Sequence, residues 1–240
     1  MEILVDMHCH SVASGHAYST IQEMAREASK KGMEMIAITD HGVGMEGAPH
    51  IWHFGNIKTV PEEIDGVKIL KGVEANIMDM NGSIDMPEEY LEKLDWVIAS
   101  FHDVCVSPGT VEQHTHAWIK AIENPYVDAI GHSGNPVFCY DFDKVLKAVK
   151  AHNKLVEINN HSFTARVGSE VNCKIIARKC KELGVKIVVN SDAHISFDVG
   201  KFDKVYKLLK EIDFPEELII NTSAQKLLNH LELRKRSRGL

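Results

Sequence analysis

The sequence lacks three features that would each assign it to a class of protein. No apolar run in its 240 residues approaches the ~18 that a membrane span needs, and no basic segment followed by an apolar one opens the chain. Lys and Arg number 27 against 34 Asp and Glu, a formal charge of −7, whereas nucleic-acid binding usually requires a basic face. The five cysteines include no CxxC motif, so we expect no disulfide framework. These absences predict a cytoplasmic protein that binds neither membranes nor nucleic acids.

Short runs rich in Ile and Val alternate with longer segments of helical periodicity. The runs predict seven strands, at residues 3–6, 35–38, 68–71, 96–99, 127–130, 155–158 and 186–189. A first helix begins at a capping box of Thr20 and Glu23 and ends at Gly32, and further helices are predicted near residues 110–123, 142–149, 173–180, 205–212 and 224–231. No linker or internal repeat interrupts the pattern. Residues 1–240 are therefore predicted to form one domain, with the basic residues of 234–238 at the end of the last helix.

Polar residues at the ends of the predicted strands decide between two architectures. Alternating strands and helices imply parallel strands with right-handed crossovers, in either an open doubly wound sheet or a barrel. Six of the seven strands are followed by His, Glu or Asp. Only a barrel brings all of these strand ends to one mouth. We therefore predict an α/β fold with a TIM-barrel-like, seven-stranded (β/α) barrel.

Histidine is the unusual residue, with 14 in the chain, and its spacing suits a metal site. In an extended chain alternate side chains share a face, so His8 and His10 point together while Cys9 packs behind the strand. Imidazole and carboxylate ligands suit Zn²⁺, and also Mn²⁺ or Fe²⁺. The candidates are too many for one tetrahedral ion and would serve two or three ions, with Glu74 bridging: His8, His10, His16, His41, Glu74, His102, His132, Asp192 and His194.

These motifs, in this order, resemble the PHP superfamily (polymerase and histidinol phosphatase), and most of all its small stand-alone branch, the YcdX-type phosphatases. The similarity runs from residue 3 to about residue 232 and includes the segments 14–20, 47–54, 157–160 and 168–173. The resemblance implies a distorted seven-stranded (β/α) barrel that holds three metal ions, usually zinc. His161 and the pair Arg166 and Val167 depart from the pattern of that branch.

Carried over position by position, the resemblance implies a ligand set for each ion. The first ion would be held by His8, His10, Glu74 and Asp192, the second by Glu74, His102 and His132, and the third by His16, His41 and His194. A homo-oligomer, such as a trimer, is suggested by this likeness alone.

Clustered divalent cations favour phosphoester hydrolysis, because they lower the pKa of a shared water and neutralise phosphoryl oxygens. Our hypothesis is in-line attack by a hydroxide that bridges two ions, without a covalent enzyme intermediate. Asp192 and His194 are candidate catalytic groups as well as ligands, with Asp192 as a proton acceptor. Asp40, beside His41, is predicted either to fix the tautomer of an imidazole or to cap a helix. Arg166 is predicted either to anchor phosphate or to lie on the surface.

The leading function is therefore a metal-dependent phosphatase, a phosphoric monoester hydrolase that acts on a small phosphorylated metabolite. An amidohydrolase also opens with HxH, but it normally has eight strands and often a lysine where this chain has Phe101 and His102. A PHP-type nuclease or phosphodiesterase is disfavoured by the charge of −7 and by an aromatic content of 7%. A zinc store is the non-enzymatic alternative, although structural zinc sites are closed and rich in thiolates. The loop after the second strand would either wall the substrate mouth with His50, Trp52 and His53 or be fastened to the barrel by Trp52 and Phe54.

Overall fold

Eight strands form one curled sheet in residues 2–237, which is the part of the chain that the structure describes. The structure is a computed structural model, and it describes side chains as far as residue 233, so the predicted basic cluster of 234–238 lies outside them. The strands are β1 (Val5–Cys9), β2 (Met35–Ile38), β3 (Glu63–Ile64), β4 (Val67–Asn76), β5 (Trp96–Ser100), β6 (Ala129–Ile130), β7 (Leu155–Asn159) and β8 (Ile187–Asn190).

Seven of these strands are parallel and follow the order β1-β2-β4-β5-β6-β7-β8, while β3 pairs antiparallel with β4. Because β1 also lies beside β8, the sheet forms a nearly closed barrel. The predicted α/β class and distorted seven-stranded (β/α) barrel are confirmed. The predicted bounds are wrong at the first strand, which extends to Cys9, and at the third, which extends to Asn76. The residues by which these two strands exceed the prediction resemble a loop in composition, but burial in the barrel holds them in an extended conformation.

Helices follow the strands and cover the outside of the barrel. They are α1 (Ile21–Lys30), α2 (Trp52–Asn56), α3 (Glu88–Leu91), α4 (Val111–Glu123), α5 (Phe142–Ala151), α6 (Ser162–Ala165), α7 (Ser169–Leu183), α8 (Asp203–Glu211) and α9 (Ala224–Ser237). The predicted capping box of Thr20 and Glu23 is confirmed at α1, and Thr110 with Gln113 forms a second one at α4. Between residues 2 and 237 no helix combines the length and apolar character that crossing a bilayer would require.

The inward-facing side chains form an apolar layer below and a polar layer above. Ten apolar side chains from all seven parallel strands pack in the lower layer, and Leu227 and Leu231 of α9 close it from below. Higher on the same faces, the strand alternation turns polar residues inward, among them Glu74 on β4 and Glu157 on β7. The register of β1 against β2 shifts at a bulge that ends at Cys9, and this shift lets β1 contribute to both layers.

Where the barrel closes, backbone hydrogen bonds join His8 and His10 to Ala193, just after β8, and side chains join the rest of β1 to β8. Asn221 donates from Nδ2 to the carbonyls of Val5 (2.8 Å) and Val189 (2.6 Å), and its Oδ1 accepts the Val189 N–H at 3.0 Å. Asn190 Oδ1 accepts the Met7 N–H at 3.0 Å. Asn221 is fully buried, so it satisfies backbone groups that water does not reach.

We predict that Asn221→Ala destabilises the barrel by roughly 3–5 kcal/mol, because three hydrogen bonds are lost and their backbone partners stay buried and unpaired. Urea unfolding followed by circular dichroism measures this change. Asn229→Ala on the exposed face of α9 is the matched control and should cost less than about 0.5 kcal/mol. Equal stabilities of the two variants would contradict the role of Asn221 in barrel closure.

Candidate metal centre

His8, His10, Glu74 and Asp192 meet beneath the mouth of the barrel and are called the first group here. His8 Nε2 lies 3.0 Å from His10 Nε2, 3.2 Å from Glu74 Oε2 and 3.5 Å from Asp192 Oδ1. His10 Nε2 lies 3.4 Å and 3.3 Å from the same two oxygens. All four side chains are buried. Four ligand-type atoms therefore converge on one point.

Glu74 turns its other oxygen to a second group, formed with His102 and His132. Its Oε1 lies 2.8 Å from His132 Nε2 and 3.4 Å from His102 Nε2, and these two nitrogens are 3.1 Å apart. The carboxylate is thus in a bridging position. His132 and Asp192 adopt left-handed backbone conformations, with φ of 27° and 57°. Such conformations cost non-glycine residues of order 1–3 kcal/mol and concentrate at functional sites.

The third group consists of His16, His41 and His194. His16 Nε2 lies 3.3 Å from His41 Nε2 and 3.0 Å from His194 Nε2. His41 Nδ1 lies 3.0 Å from Glu74 Oε2, so the third group adjoins the first. His16 is exposed, and this group is therefore the one nearest to solvent.

Two residues without a sequence-predicted role fix the tautomers of candidate ligands. His8 Nδ1 is 2.7 Å from Glu157 Oε1, and His102 Nδ1 is 2.7 Å from Asn76 Oδ1. Because these oxygens only accept, both histidines carry their proton on Nδ1 and direct an Nε2 lone pair into the centre. Glu157 could have been recognised from the sequence as the single acidic residue within the strand β7. The contact of Asn76 with His102 left no such signal.

The pKa values of the buried groups show which acids of the centre are ionised and which imidazoles are neutral. Burial alone would raise the pKa of the Glu74 carboxyl, but the imidazoles of His8 and His102 hold it well below its usual range. The pKa of Asp192 is also well below its usual range, because the nearby imidazoles and Arg166 outweigh burial. Burial lowers the pKa of His132 to about 4. The centre therefore presents carboxylates together with neutral imidazole at His132 and at His10, whose pKa burial also lowers. The pKa of His8 is instead well above its usual range, because Glu157, Glu74 and Asp192 outweigh burial.

This donor set fits divalent cations. Among the described residues, Glu74 Oε2 and His41 Nδ1, which lie 3.0 Å apart, are buried without a hydrogen-bond partner. Lone pairs and carboxylate oxygens that face one another at such distances repel unless a cation lies between them. Neutral imidazole and carboxylate are the ligand types that Zn²⁺ takes. Three sets of residues each bring three ligand atoms within 4.8 Å of one another: His10, His41 and His194; His8, His10 and Glu74; and His41, Glu74 and His102.

Asp40 is fully buried behind the centre. Its carboxylate accepts from the Ser11 N–H (2.8 Å), the Ser11 hydroxyl (2.7 Å) and the Ser14 hydroxyl (2.8 Å), and it lies 3.2 Å from His53 Nε2. No helix begins directly after Asp40, so the prediction of a helix cap is wrong. The imidazole that it meets is that of His53 on α2, later in the same connection after β2, rather than that of His41. Asp40 therefore holds the loop after β1 in place.

A mouth of about 890 Å³ opens above the three groups. Arg166 lines it, with Nη1 3.4 Å from Asp192 Oδ2 and 3.2 Å from the Ser162 hydroxyl. His161 also lines the mouth, and its ring stacks on that of His194 with centroids 5.8 Å apart. Arg166 is thus held at the edge of the centre, with its guanidinium facing the cavity.

The aromatic residues of the loop after β2 do not wall this mouth. Trp52 and His53 line a separate groove, and Trp52 is exposed. Phe54 is buried in the outer core, so it fastens the loop to the barrel. Met45 and Glu46 are the residues of this loop that line the mouth. The alternative in which the loop packs on the barrel is correct for Phe54.

Glu157→Gln should weaken metal retention by about 10- to 100-fold, because an amide cannot accept both from His8 Nδ1 and from the His132 N–H, which Glu157 Oε2 binds at 2.6 Å. Elemental analysis after graded exposure to a chelator measures the loss. Glu182→Gln, on the exposed face of α7, is the control and should keep the metal content of the unmodified protein. Retention by Glu157→Gln equal to that of this control would contradict the positioning role.

The chain is similar in sequence to two relatives over nearly its whole length, and it is similar in fold to a solved structure. The chain is 59% identical over 235 residues to a probable phosphatase of Acetivibrio thermocellus, and the alignment covers 98% of each chain. It is 57% identical over 242 residues to a probable phosphatase of Caldanaerobacter subterraneus subsp. tengcongensis, covering 100% of this chain and 95% of the relative. The solved histidinol phosphate phosphatase of Lactococcus lactis, in complex with zinc, L-histidinol and phosphate, has a TM-score of 0.64 at 20% identity and covers 90% of this chain and 95% of its own. This last likeness shows the fold.

The family model described as PHP domain matches residues 6–161, a segment that includes seven of the nine candidate ligands, from His8 to His132. The resemblance that the motifs indicated is thereby confirmed. The chain belongs to the PHP domain family.

Proposed function

We propose that this protein is a metal-dependent phosphatase that hydrolyses small phosphomonoesters at a centre for three ions. The strongest support is the meeting of imidazole and carboxylate side chains beneath one open mouth. The probable phosphatases at 59% and 57% identity support the class of reaction. The zinc and phosphate in the Lactococcus lactis structure support zinc as the ion and a phosphate ester as the substrate.

The three groups defined above would each hold one ion, Zn²⁺ in the first instance, with Mn²⁺ or Fe²⁺ as substitutes. Divalent cations bound there supply an activated water and positive charge for a phosphoryl group. Hydrolysis consumes this water, breaks the phosphorus–oxygen bond to the leaving alcohol, and yields the alcohol and inorganic phosphate.

The remaining chemistry falls to the side chains at the rim. Arg166 would donate its guanidinium N–H groups to a phosphoryl oxygen, since among the described side chains its only close anionic partner is a single Asp192 oxygen at 3.4 Å. Asp192 would then act with both oxygens, Oδ1 toward the first group and Oδ2 toward Arg166. His194 lines the open side of the centre, where the phosphate would bind. Asp40 has a positioning role through Ser11 and Ser14.

The cysteines and the charge of the mouth support a cellular location and a class of partner. All five cysteines are free thiols, which supports a reducing compartment, and we infer the cytoplasm. Arg166 is the single Lys or Arg among the described residues that line the mouth, which supports a small substrate rather than a nucleic acid. A homo-oligomer is proposed from the family likeness alone.

The purified protein should hydrolyse p-nitrophenyl phosphate faster than bis-p-nitrophenyl phosphate, and it should not cleave p-nitroacetanilide. Chelation should remove the activity and added Zn²⁺ should restore it, because the centre lacks another source of activated water. Absorbance at the nitrophenol band measures the rates. Turnover of the diester alone would favour a nuclease, turnover of the anilide an amidohydrolase, and bound metal without turnover a zinc store.

His10→Ala is the matched variant for this test. It should lose both turnover and part of the metal content, because it removes an imidazole from the first group. His116→Ala on the exposed face of α4 removes an imidazole elsewhere and should change neither quantity.

Arg166→Met should lower kcat/KM for p-nitrophenyl phosphate by about 10- to 100-fold, as expected for the loss of a charge-assisted hydrogen bond to phosphate. The inhibition constant of inorganic phosphate should rise by a similar factor. Arg166→Lys should recover part of the loss, and Arg26→Met on the exposed side of α1 should change neither constant. Unchanged phosphate inhibition in Arg166→Met would remove Arg166 from the site.

A further inference from the structure

We infer that one wall of the mouth binds an uncharged, apolar leaving group, so that the preferred substrates are monophosphates of apolar alcohols. This inference rests on the proposed phosphatase function and adds the chemical class of its substrate. The inference is supported by three exposed valines, by two carboxylates and by the position of Arg166. Val104, Val137 and Val167 together are called the valine wall.

The valine wall is built by three consecutive loops of the barrel. Val104 follows β5, Val137 follows β6 and Val167 follows β7, and all three line the same cavity. Their exposed fractions are 74%, 46% and 93%, which is unusual for valine beside an open cavity. Exposed apolar side chains that cluster around a pocket typically mark a binding surface.

A rigid aromatic layer supports this wall from behind. Phe101 lines the mouth with only 2% of its surface exposed, and its ring stacks on that of Phe138 at 4.6 Å and 9°. His114 joins the two loops that carry these rings, because its Nε2 accepts the Gly109 N–H at 2.7 Å and its Nδ1 donates to the Cys139 carbonyl at 2.8 Å. The loops that carry Val104 and Val137 are therefore joined to each other without a ligand.

The distribution of charge assigns the two ends of the substrate. Arg166 and the valine wall line the same cavity, so an ester whose phosphoryl group meets the guanidinium has its leaving group within reach of the valine wall. Glu46 and Asp103 also line the mouth and are exposed. Among the described lining residues no Lys and no Arg other than Arg166 lies there to bind a second anion. A substrate with a second phosphate is repelled.

The cavity also has room for more than a short polyol. Its volume of about 890 Å³ is near the upper end of the range for small-molecule pockets, ~300–1,000 Å³. The candidate ligands form the floor of this space, and the valine wall lines it above them.

Primary alkyl phosphates from ethyl to octyl test the inference. Their alcohols have nearly the same acidity, so chain length changes only the apolar contact. We expect kcat/KM to rise about two- to fourfold for each added methylene, and at least about 30-fold from ethyl to octyl phosphate. The triple variant with Val104→Ser, Val137→Ser and Val167→Ser should reduce this octyl-to-ethyl ratio at least fivefold. Val171→Ser, an exposed valine on α7 away from the mouth, should leave the ratio unchanged.

A second comparison tests the charge argument. Hexyl phosphate should have a kcat/KM at least tenfold above that of hexane-1,6-diol bisphosphate, and Asp103→Lys should narrow this gap. Substitution of exposed residues leaves the fold intact, and circular dichroism checks this for each variant.

The outcomes separate the inference from the function on which it rests. If neither p-nitrophenyl phosphate nor any alkyl phosphate is hydrolysed, the proposed function itself is wrong. If alkyl phosphates are hydrolysed but the ratio is flat, or the triple variant keeps it, the valine wall does not bind the leaving group. If the triple variant instead changes the sedimentation mass and leaves the ratio unchanged, the wall is a contact between copies of the chain, and the inference is overturned.

Discussion

The Nε2 atoms of His8 and His10 lie 3.0 Å apart out of water, and those of His102 and His132 lie 3.1 Å apart. Around them stand carboxylates that the local field keeps ionised. Lone pairs and negative charges at this separation are costly in a buried setting unless positive charge compensates them. The rest of the upper barrel layer can be understood as the framework that keeps these groups together despite their repulsion.

That framework is one hydrogen-bonded network rather than a set of separate supports. Glu157 contacts His8 through one oxygen and the His132 N–H through the other, and it accepts from Asn159 and Asn190 at 3.1 Å and 2.8 Å. The residues of β7 and β8 thereby fix ligands that come from β1 and from the loop after β6. Because these residues share hydrogen-bond partners, the changes in unfolding free energy caused by single substitutions in the network should not be additive.

Sequence reasoning predicted the barrel and the nine candidate ligands because both depend on local patterns. Strand periodicity and strand-end chemistry are visible in short segments such as the one that holds His8 and His10. Glu157 was missed as a support because its role depends on a contact with His8, 149 residues away. The pairing of Asp40 with His53 and the valine wall depend on loop conformation, which composition and periodicity do not encode. The bulge in β1 likewise appears only when β1 is paired with β2.

The amide of Asn221 that closes the barrel bonds to the carbonyl of Val5, 216 residues earlier. A growing polypeptide therefore keeps its first strand without this partner until nearly all of the chain has left the ribosome. The same holds for His8 and His10, whose carboxylate neighbour Asp192 is also made late. A nascent chain consequently cannot complete the cluster of imidazoles and carboxylates before Asp192 has been made, so this cluster assembles late in synthesis.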